Sequence, residues 1–131
     1  MSELKIGAKY TKSKIVAEAD LASAVGNPGV HVFSTPSMIL FIELTTGEYL
    51  ATTQPEEAGS VGTHVDVRHL AATPVGMEVR CDVEVIEVDR LRVVFDVELF
   101  DEVEKIGSGR HERFIVPNLP QFLSRAMQKG K

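Results

Sequence analysis

A mainly apolar stretch at residues 34–52 constrains the fold more than any other part of the chain. Residues 38–42 are apolar on every side of a helix, which is typical of a helix surrounded by other structure. Thr35 is predicted as the N-cap because its hydroxyl can accept a backbone N–H, and Pro36 then takes the first helical position. The pattern therefore predicts one long helix that the rest of the fold covers.

Glu43 is the polar exception within this helix. Its neighbours one turn away include no Lys or Arg, so the helix itself supplies no partner for the carboxylate. A carboxylate in an apolar setting is costly unless a distant group pairs with it or it becomes neutral. Two interpretations follow: Glu43 faces solvent through a gap in the packing, or it is a functional carboxylate on a rigid element.

The composition predicts one soluble globular domain over residues 1–131. No apolar run approaches the roughly 18 residues that cross a membrane, and the N-terminus lacks an apolar signal segment, which predicts a cytoplasmic protein without membrane contact. The net charge of −5, without a basic strip, argues against a nucleic-acid partner. The histidines show no metal-ligand spacing, so no metal is predicted, and the single cysteine, Cys81, is interpreted as a core residue.

Downstream of the helix the hydrophobic period changes to two, which predicts antiparallel strands with one dry face and one wet face. In residues 61–69, strict alternation places His69 on the apolar face and Gly62 on the polar face together with His64. A lone histidine on an apolar face is more often structural than catalytic. Because Glu43 is a second exception in the same core, the two side chains are predicted to share a site.

The remaining elements complete the predicted fold. A strand near residues 5–18 precedes the helix, and a meander of alternating segments follows at residues 79–85, 91–99 and 105–116. Gly107 and Gly109 predict a bulge or a close backbone approach in the last strand. Apolar residues at helical spacing over residues 119–127 predict a small amphipathic helix. The order predicts an α+β fold with an antiparallel sheet of about five strands wrapped around one long central helix.

Three blocks of sequence carry a resemblance that runs from residue 5 to about residue 125. The first is V-F-S-T-P at residues 32–36 with Glu43 eight residues after Thr35; the others are G-T at 62–63 with H-L-A-A-T-P-V-G-M at 69–77, and I-G-S-G-R-H-E-R at 106–113. The chain resembles the hotdog-fold thioesterase superfamily, and specifically its fluoroacetyl-CoA thioesterase-like branch. The resemblance implies a hotdog fold, hydrolysis of an acyl-CoA thioester with CoA as part of the substrate and no separate cofactor, and a homodimer, with a higher homo-oligomer as the alternative.

The resemblance also assigns candidate site residues. Thr35, Glu43 and His69 are the implied catalytic set. Glu43 would activate water as a general base or attack the acyl carbon itself, and His69 would polarise the carbonyl or protonate the leaving thiolate. The backbone N–H near Gly62 is a candidate oxyanion donor, because glycine permits close approach. Arg113, in the last block, is the candidate contact for the phosphates of CoA.

Phe33 and Met38 are predicted to shape the acyl pocket. The loop at residues 26–31 is short and poor in aromatic residues, whereas the family's name-giving enzyme has an aromatic lid before the helix. The resemblance therefore does not extend to a preference for the fluoroacetyl group. Two alternatives from other functional classes stay open: an acyl-thioester hydratase or dehydratase, and a non-catalytic protein that binds acyl-CoA or another small ligand.

Overall fold

One five-stranded sheet and one long helix make up most of the computed structural model, which describes residues 1–131. The strands are β1 (Lys9–Ile15), β2 (Gly59–His69), β3 (Glu78–Asp89), β4 (Arg92–Phe100) and β5 (Lys105–Val116). The long helix is α1 (Thr35–Ala51), and the small C-terminal helix is α2 (Leu119–Met127). Two short 3-10 turns, Glu18–Asp20 and Ala22–Ala24, lie between β1 and α1. The predicted α+β architecture is confirmed.

The sheet has the spatial order β1-β3-β4-β5-β2, and every neighbouring pair is antiparallel. The meander of β3, β4 and β5 is as predicted, because these strands are neighbours in both sequence and sheet. β2 pairs only with β5, and β1 pairs only with β3, so these two strands are the edges. The outer side of β2 therefore carries backbone N–H and C=O groups without a strand partner.

The sheet covers α1 on its inner face. The buried residues of the helix are Met38, Phe41, Ile42, Thr45, Thr46, Tyr49 and Leu50. The apolar ones join residues of the strands in a core cluster of 18 buried side chains. Full burial of a side chain such as Phe41 contributes roughly 1.5–3 kcal/mol. The two buried threonines direct their hydroxyls to the carbonyls of Phe41 and Ile42, one turn earlier, so no polar group of theirs is left unpaired.

One face of α1 is not covered. Leu40 is 55% exposed and Leu44 is 51% exposed, although both lie in the segment that was predicted to be surrounded by other structure. That prediction is wrong for this face, because the sheet of a single chain curves around only one side of the helix. The exposed leucines, like the free edge of β2, therefore lack partners within the chain.

The first turn of α1 differs from the prediction by one residue. Ser34 is the N-cap, since its Oγ accepts the backbone N–H of Ser37 at 3.1 Å, and Thr35 and Pro36 take the first two helical positions. The prediction of Thr35 as the cap is wrong because Ser34 supplies an equivalent hydroxyl one residue earlier. As a result, the Thr35 hydroxyl is free to bind a group outside the helix.

A bulge in β2 decides which residues face α1. The register with β5 shifts between Gly62 and His64, and the extra residue, Thr63, bonds to Glu112 on the outer face at 2.7 Å. Strict alternation predicted Gly62 and His69 on opposite faces, and this is wrong. The bulge brings both residues onto the inner face, where Gly62 lies against α1 and His69 contacts the start of that helix.

Two further predictions about single residues are confirmed. A methyl group added at Gly107 would lie 2.9 Å from Met38 Sδ, and one at Gly109 would overlap the backbone carbonyl of Asp66, so both glycines mark close approaches. Cys81 is fully buried, and burial raises the pKa of its thiol to about 12, as expected for an inert core cysteine. No helix of the structure combines the length and the apolar character needed to cross a bilayer.

Candidate active site

Thr35 and His69 form one half of the site. Thr35 Oγ1 and His69 Nδ1 lie 2.8 Å apart, so the first turn of α1 is joined to the end of β2. His69 Nε2 is buried and has no hydrogen-bond partner within the chain. Burial lowers the pKa of His69, while the nearby backbone of Ala71 opposes this effect. The imidazole is therefore neutral at neutral pH, with one nitrogen engaged by Thr35 and the other unpaired.

Glu43 lies in a second cluster, eight residues further along α1 than Thr35. Arg113 Nη1 donates to Glu43 Oε2, and His111 Nε2 lies 3.3 Å from the same oxygen. The Glu43 side chain is 34% exposed, so the carboxylate is partly open to solvent. Its Oε2 atom contacts the buried side chains of Arg113 and His111. The expectation that a distant residue could pair with this carboxylate is met by Arg113, which comes from β5.

Arg113 is fixed by three groups at once. Its Nε donates to Ser60 Oγ and its Nη2 donates to the Ser60 carbonyl, each at 3.0 Å, while Nη1 binds Glu43. Arg113 is only 7% exposed, and burial lowers its pKa whereas the Glu43 charge opposes this, so the guanidinium stays a cation. The sequence suggested a contact with CoA phosphates, but in the structure the guanidinium is committed to Glu43 and Ser60.

Gly62 leaves the space that the Glu43 carboxylate occupies. A Cβ at this position would overlap both carboxylate oxygens. Gly62 also stands opposite Arg113 in the β2–β5 register, so the glycine, the arginine and the carboxylate meet at one point of the inner face. The resemblance implied the backbone N–H near Gly62 as a candidate oxyanion donor, and that role stays a prediction. The structure adds that the missing side chain of Gly62 leaves room for Glu43 to reach Arg113.

His111 is the residue of this cluster that the sequence reasoning did not assign. It is fully buried, and its Nδ1 lies 3.0 Å from the His64 carbonyl. Burial lowers the pKa of His111, and the Glu43 charge opposes that effect. A signal was present in the sequence, because positions 111 and 113 alternate with Glu112 and must share one face of the last strand. That face is the inner one.

The structure thus brings the predicted residues together in two groups within one chain. Thr35 and His69 form one group, and Glu43 and Gly62 form the other together with Arg113 and His111. Thr35 and Glu43 are eight residues apart, which corresponds to about 12 Å along α1. Glu43 and His69 were predicted to share a site, but within a single chain each has its own set of partners.

Two cavities adjoin these groups. An open cavity of about 410 Å³ lies at the Thr35–His69 pair and is lined in part by Val30, Val32 and Phe33. Phe33 itself is buried and meets the His69 ring edge-on, with centroids 6.3 Å apart. A smaller cavity of about 190 Å³ lies beside Arg113. Met38 lies in neither cavity; it is fully buried beneath Gly107.

No three His, Cys, Asp or Glu side chains come close enough to hold a metal ion. The Nε2 atoms of His69 and His111 are both buried and have no hydrogen-bond partner within the chain. The groups that the structure offers for chemistry are therefore a carboxylate, two neutral imidazoles, a hydroxyl and a buried guanidinium.

Comparisons with known proteins identify the family and the fold. The family model described as fluoroacetyl-CoA-specific thioesterase (FlK) matches residues 16–119. A fluoroacetyl-CoA thioesterase from Streptantibioticus cattleyicolor is 36% identical over 98 residues, which cover 75% of this chain and 70% of that protein. The solved structure of the fluoroacetyl-CoA thioesterase FlK has a TM-score of 0.90 at 29% identity and covers 98% of both chains. A thioesterase superfamily member from Thermus thermophilus has a TM-score of 0.85 at 26% identity, covering 98% of this chain and 96% of its own.

These similarities extend over the fold and over the sequence blocks that hold the site. The matched segment begins directly after β1 and ends at the first residue of α2, so it contains α1, the bulged β2 and the last strand. The hotdog fold and the resemblance of the three blocks are confirmed. On this evidence the chain belongs to the fluoroacetyl-CoA-specific thioesterase family.

Proposed function

We propose that the protein hydrolyses an acyl-CoA thioester to the free acid and CoA, with Glu43 as the general base. The observation that supports this is the Glu43 carboxylate, which Arg113 binds at one oxygen and which remains partly open to solvent. Hydrolysis of a thioester needs a base for water, donors for the developing oxyanion and a proton for the leaving thiolate. The two groups of side chains supply these functions on one face of the sheet.

Glu43 takes a proton from water while the water oxygen attacks the acyl carbon. Arg113 binds Oε2 and thereby orients the carboxyl group, so that Oε1 is directed at the water. The negative charge moves to the thioester oxygen, and the backbone N–H near Gly62 is the proposed donor to it. The C–S bond then breaks, and the acid and CoA leave after the thiolate receives a proton.

His69 supplies the proton for the leaving group or polarises the thioester carbonyl. A neutral imidazole carries one N–H, and the contact with Thr35 at 2.8 Å fixes the orientation of the ring. Thr35 therefore positions His69, and its hydroxyl also borders the cavity beside Phe33 in which we place the acyl group. The apolar lining of that cavity favours an uncharged acyl chain.

We infer that the active form is a homodimer. The exposed Leu40 and Leu44 of α1 and the unpaired edge of β2 are the surfaces that a second copy would cover. A free sheet edge is a template for pairing with another strand. An isologous contact would join the same edge of both copies and would bring the two groups of site residues, one from each chain, toward each other.

The first experiment measures thiol release from a panel of acyl-CoA thioesters. We expect Glu43→Gln to lower kcat/KM by about 10²-fold or more, as is typical when a general base is lost, and His69→Ala to lower it as well. Glu48→Gln is the matched control, because Glu48 lies on the same helix and pairs with Lys12 at the surface. Full thiol release by Glu43→Gln, with Glu48→Gln equally active, would refute the assigned role of Glu43.

A crotonyl thioester separates thioester hydrolysis from the addition of water across a carbon–carbon bond. Thiol release marks a thioesterase, whereas loss of the enoyl absorbance without thiol release marks a hydratase. A folded wild-type protein that binds acyl-CoA but releases no thiol from any member of the panel would show a binding protein instead.

A further inference from the structure

His111 has a fixed tautomer in its neutral form. Its Nδ1 lies 3.0 Å from the His64 carbonyl, and a carbonyl oxygen can only accept, so Nδ1 carries the hydrogen. In the neutral ring, Nε2 is then a bare acceptor. This atom is buried and has no hydrogen-bond partner in the chain. A buried polar atom without a hydrogen bond is rare in folded proteins and calls for an explanation.

The atom that faces this bare nitrogen is a carboxylate oxygen. Glu43 Oε2 lies 3.3 Å from His111 Nε2. Two acceptors cannot bond to each other, but one added proton turns the contact into a hydrogen bond after an approach of only about 0.4 Å, since N–H···O bonds are typically near 2.9 Å. The pair is therefore arranged to receive one proton.

Before the reaction, the neighbouring groups keep His111 neutral. Burial lowers the pKa of His111, and the neighbouring Arg113 cation acts in the same direction, whereas Glu43 opposes them. The resting cluster then consists of a guanidinium, a carboxylate and a neutral imidazole, with no net charge. A proton taken up by Glu43 neutralises the carboxylate, and the bare Nε2 is the acceptor that the new O–H group requires.

We propose that His111 is a positioning residue that shares, through Nε2, the proton which Glu43 takes from water, so that the two side chains act as one buried base. This inference rests on the proposed general-base function of Glu43. Rotation of the carboxyl group about its Cγ–Cδ bond carries a proton received at Oε1 to the side of Nε2. The proton leaves again for the thiolate or for solvent, so the cluster returns to its resting state after each turnover.

The other charged groups near the pair are accounted for. From α1 only Glu43 faces His111, and from β5 Arg113 lies on the same face. From β4 the cross-strand neighbour of His111 is Phe95, which is apolar and buried, and from β2 the contact is the His64 backbone. Glu112 points to the outer face, where it binds Arg92 and Thr63. No other charged side chain competes for the proton.

The coupling can be measured on the wild-type protein without substrate. NMR of ¹⁵N-labelled histidine should show His111 as the Nδ1–H tautomer at neutral pH, and the ¹³C carboxyl signal of Glu43 should shift in step with protonation of the His111 ring on acidification. In Glu43→Gln the His111 titration should move to lower pH, because the opposing negative charge is gone. An Nε2–H tautomer at neutral pH, or a His111 titration that is the same in Glu43→Gln, would overturn the inference whatever the outcome of the activity assays.

The kinetic test uses His111→Asn, whose amide can keep a hydrogen bond to the His64 carbonyl while Nε2 is removed. We expect the acid limb of the kcat/KM profile to move to lower pH by about one unit. The plateau should fall about tenfold, because a base that holds its proton less well is a weaker catalyst. The control is Asp96→Asn, an exposed carboxylate on the outer face of β4, which should leave the profile unchanged. An acid limb that stays in place in a folded His111→Asn variant would assign His111 a structural role only.

Discussion

Arg113 and His111 favour opposite protonation states of the Glu43 carboxyl group. The guanidinium donates to Oε2 and so stabilises the charged form, while the bare Nε2 of His111 can bond only to the protonated form. A general base must be charged before the reaction and must hold a proton afterwards. In the proposed mechanism the two partners on β5 thus serve the two halves of the cycle, and each is held in place by its own contact with β2.

Gly62 provides a test of this geometry at the level of one methyl group. Gly62→Ala places a Cβ where the Glu43 oxygens lie, so the carboxylate must move away from Arg113. We expect kcat/KM for thiol release to fall at least about tenfold, equivalent to about 1.4 kcal/mol of transition-state stabilisation. Gly130→Ala, where an added methyl meets nothing, is the control. Wild-type activity in Gly62→Ala would mean that Glu43 does not act from this position.

At the level of elements, two neighbouring hydroxyls at the start of α1 make separate contacts. Ser34 caps the helix through its contact with the N–H of Ser37, and Thr35 reaches across to His69. A single residue serving both purposes would have to give up one contact to make the other. The S-T-P sequence avoids this conflict, because the capping Ser34 precedes Thr35 and Pro36 follows it.

Substitutions at these two positions should therefore separate stability from activity. Ser34→Ala should lower the free energy of unfolding by about 1 kcal/mol, the usual cost of losing an N-cap, and keep kcat/KM within a few-fold of wild type. Thr35→Ala should leave stability nearly unchanged and lower kcat/KM at least about tenfold, because His69 loses its orienting contact. Urea unfolding and thiol release measure the two effects. A stability loss of the Ser34→Ala size in Thr35→Ala, without loss of rate, would contradict this division.

How far the elements follow from sequence can be seen in β2 and β5. The period of two was sufficient to predict β5 at residues 105–116, and the length and apolar character of residues 38–42 were sufficient to predict α1. The side of β2 on which Gly62 lies could not be predicted, because one inserted residue in a bulge inverts the alternation. The partners of Glu43 could not be predicted either, since Arg113 lies 70 residues away in sequence.

At the scale of the whole molecule, one chain contains the site in two separated groups. The unpaired edge of β2 suggests how a second copy would join them. Antiparallel pairing of two β2 edges around a two-fold axis midway between Gly62 and His69 would place Gly62 of each copy opposite the other copy's His69. Glu43, which lies against Gly62, would then approach the Thr35–His69 pair of the second chain. The exposed Leu40 and Leu44 would be covered in the same step.

This arrangement predicts that two inactive variants can restore one active site. When Glu43→Gln and His69→Ala are unfolded together and refolded as a mixture, about half of the dimers should be mixed, and each mixed dimer should hold one site with both native residues. Thiol release should then recover to about a quarter of the wild-type rate, and sedimentation should give about twice the mass of 14.4 kDa. The control is each variant refolded alone, which should stay inactive. If both residues of a site came from the same chain, mixing would restore nothing, because every site would still lack either its base or its imidazole.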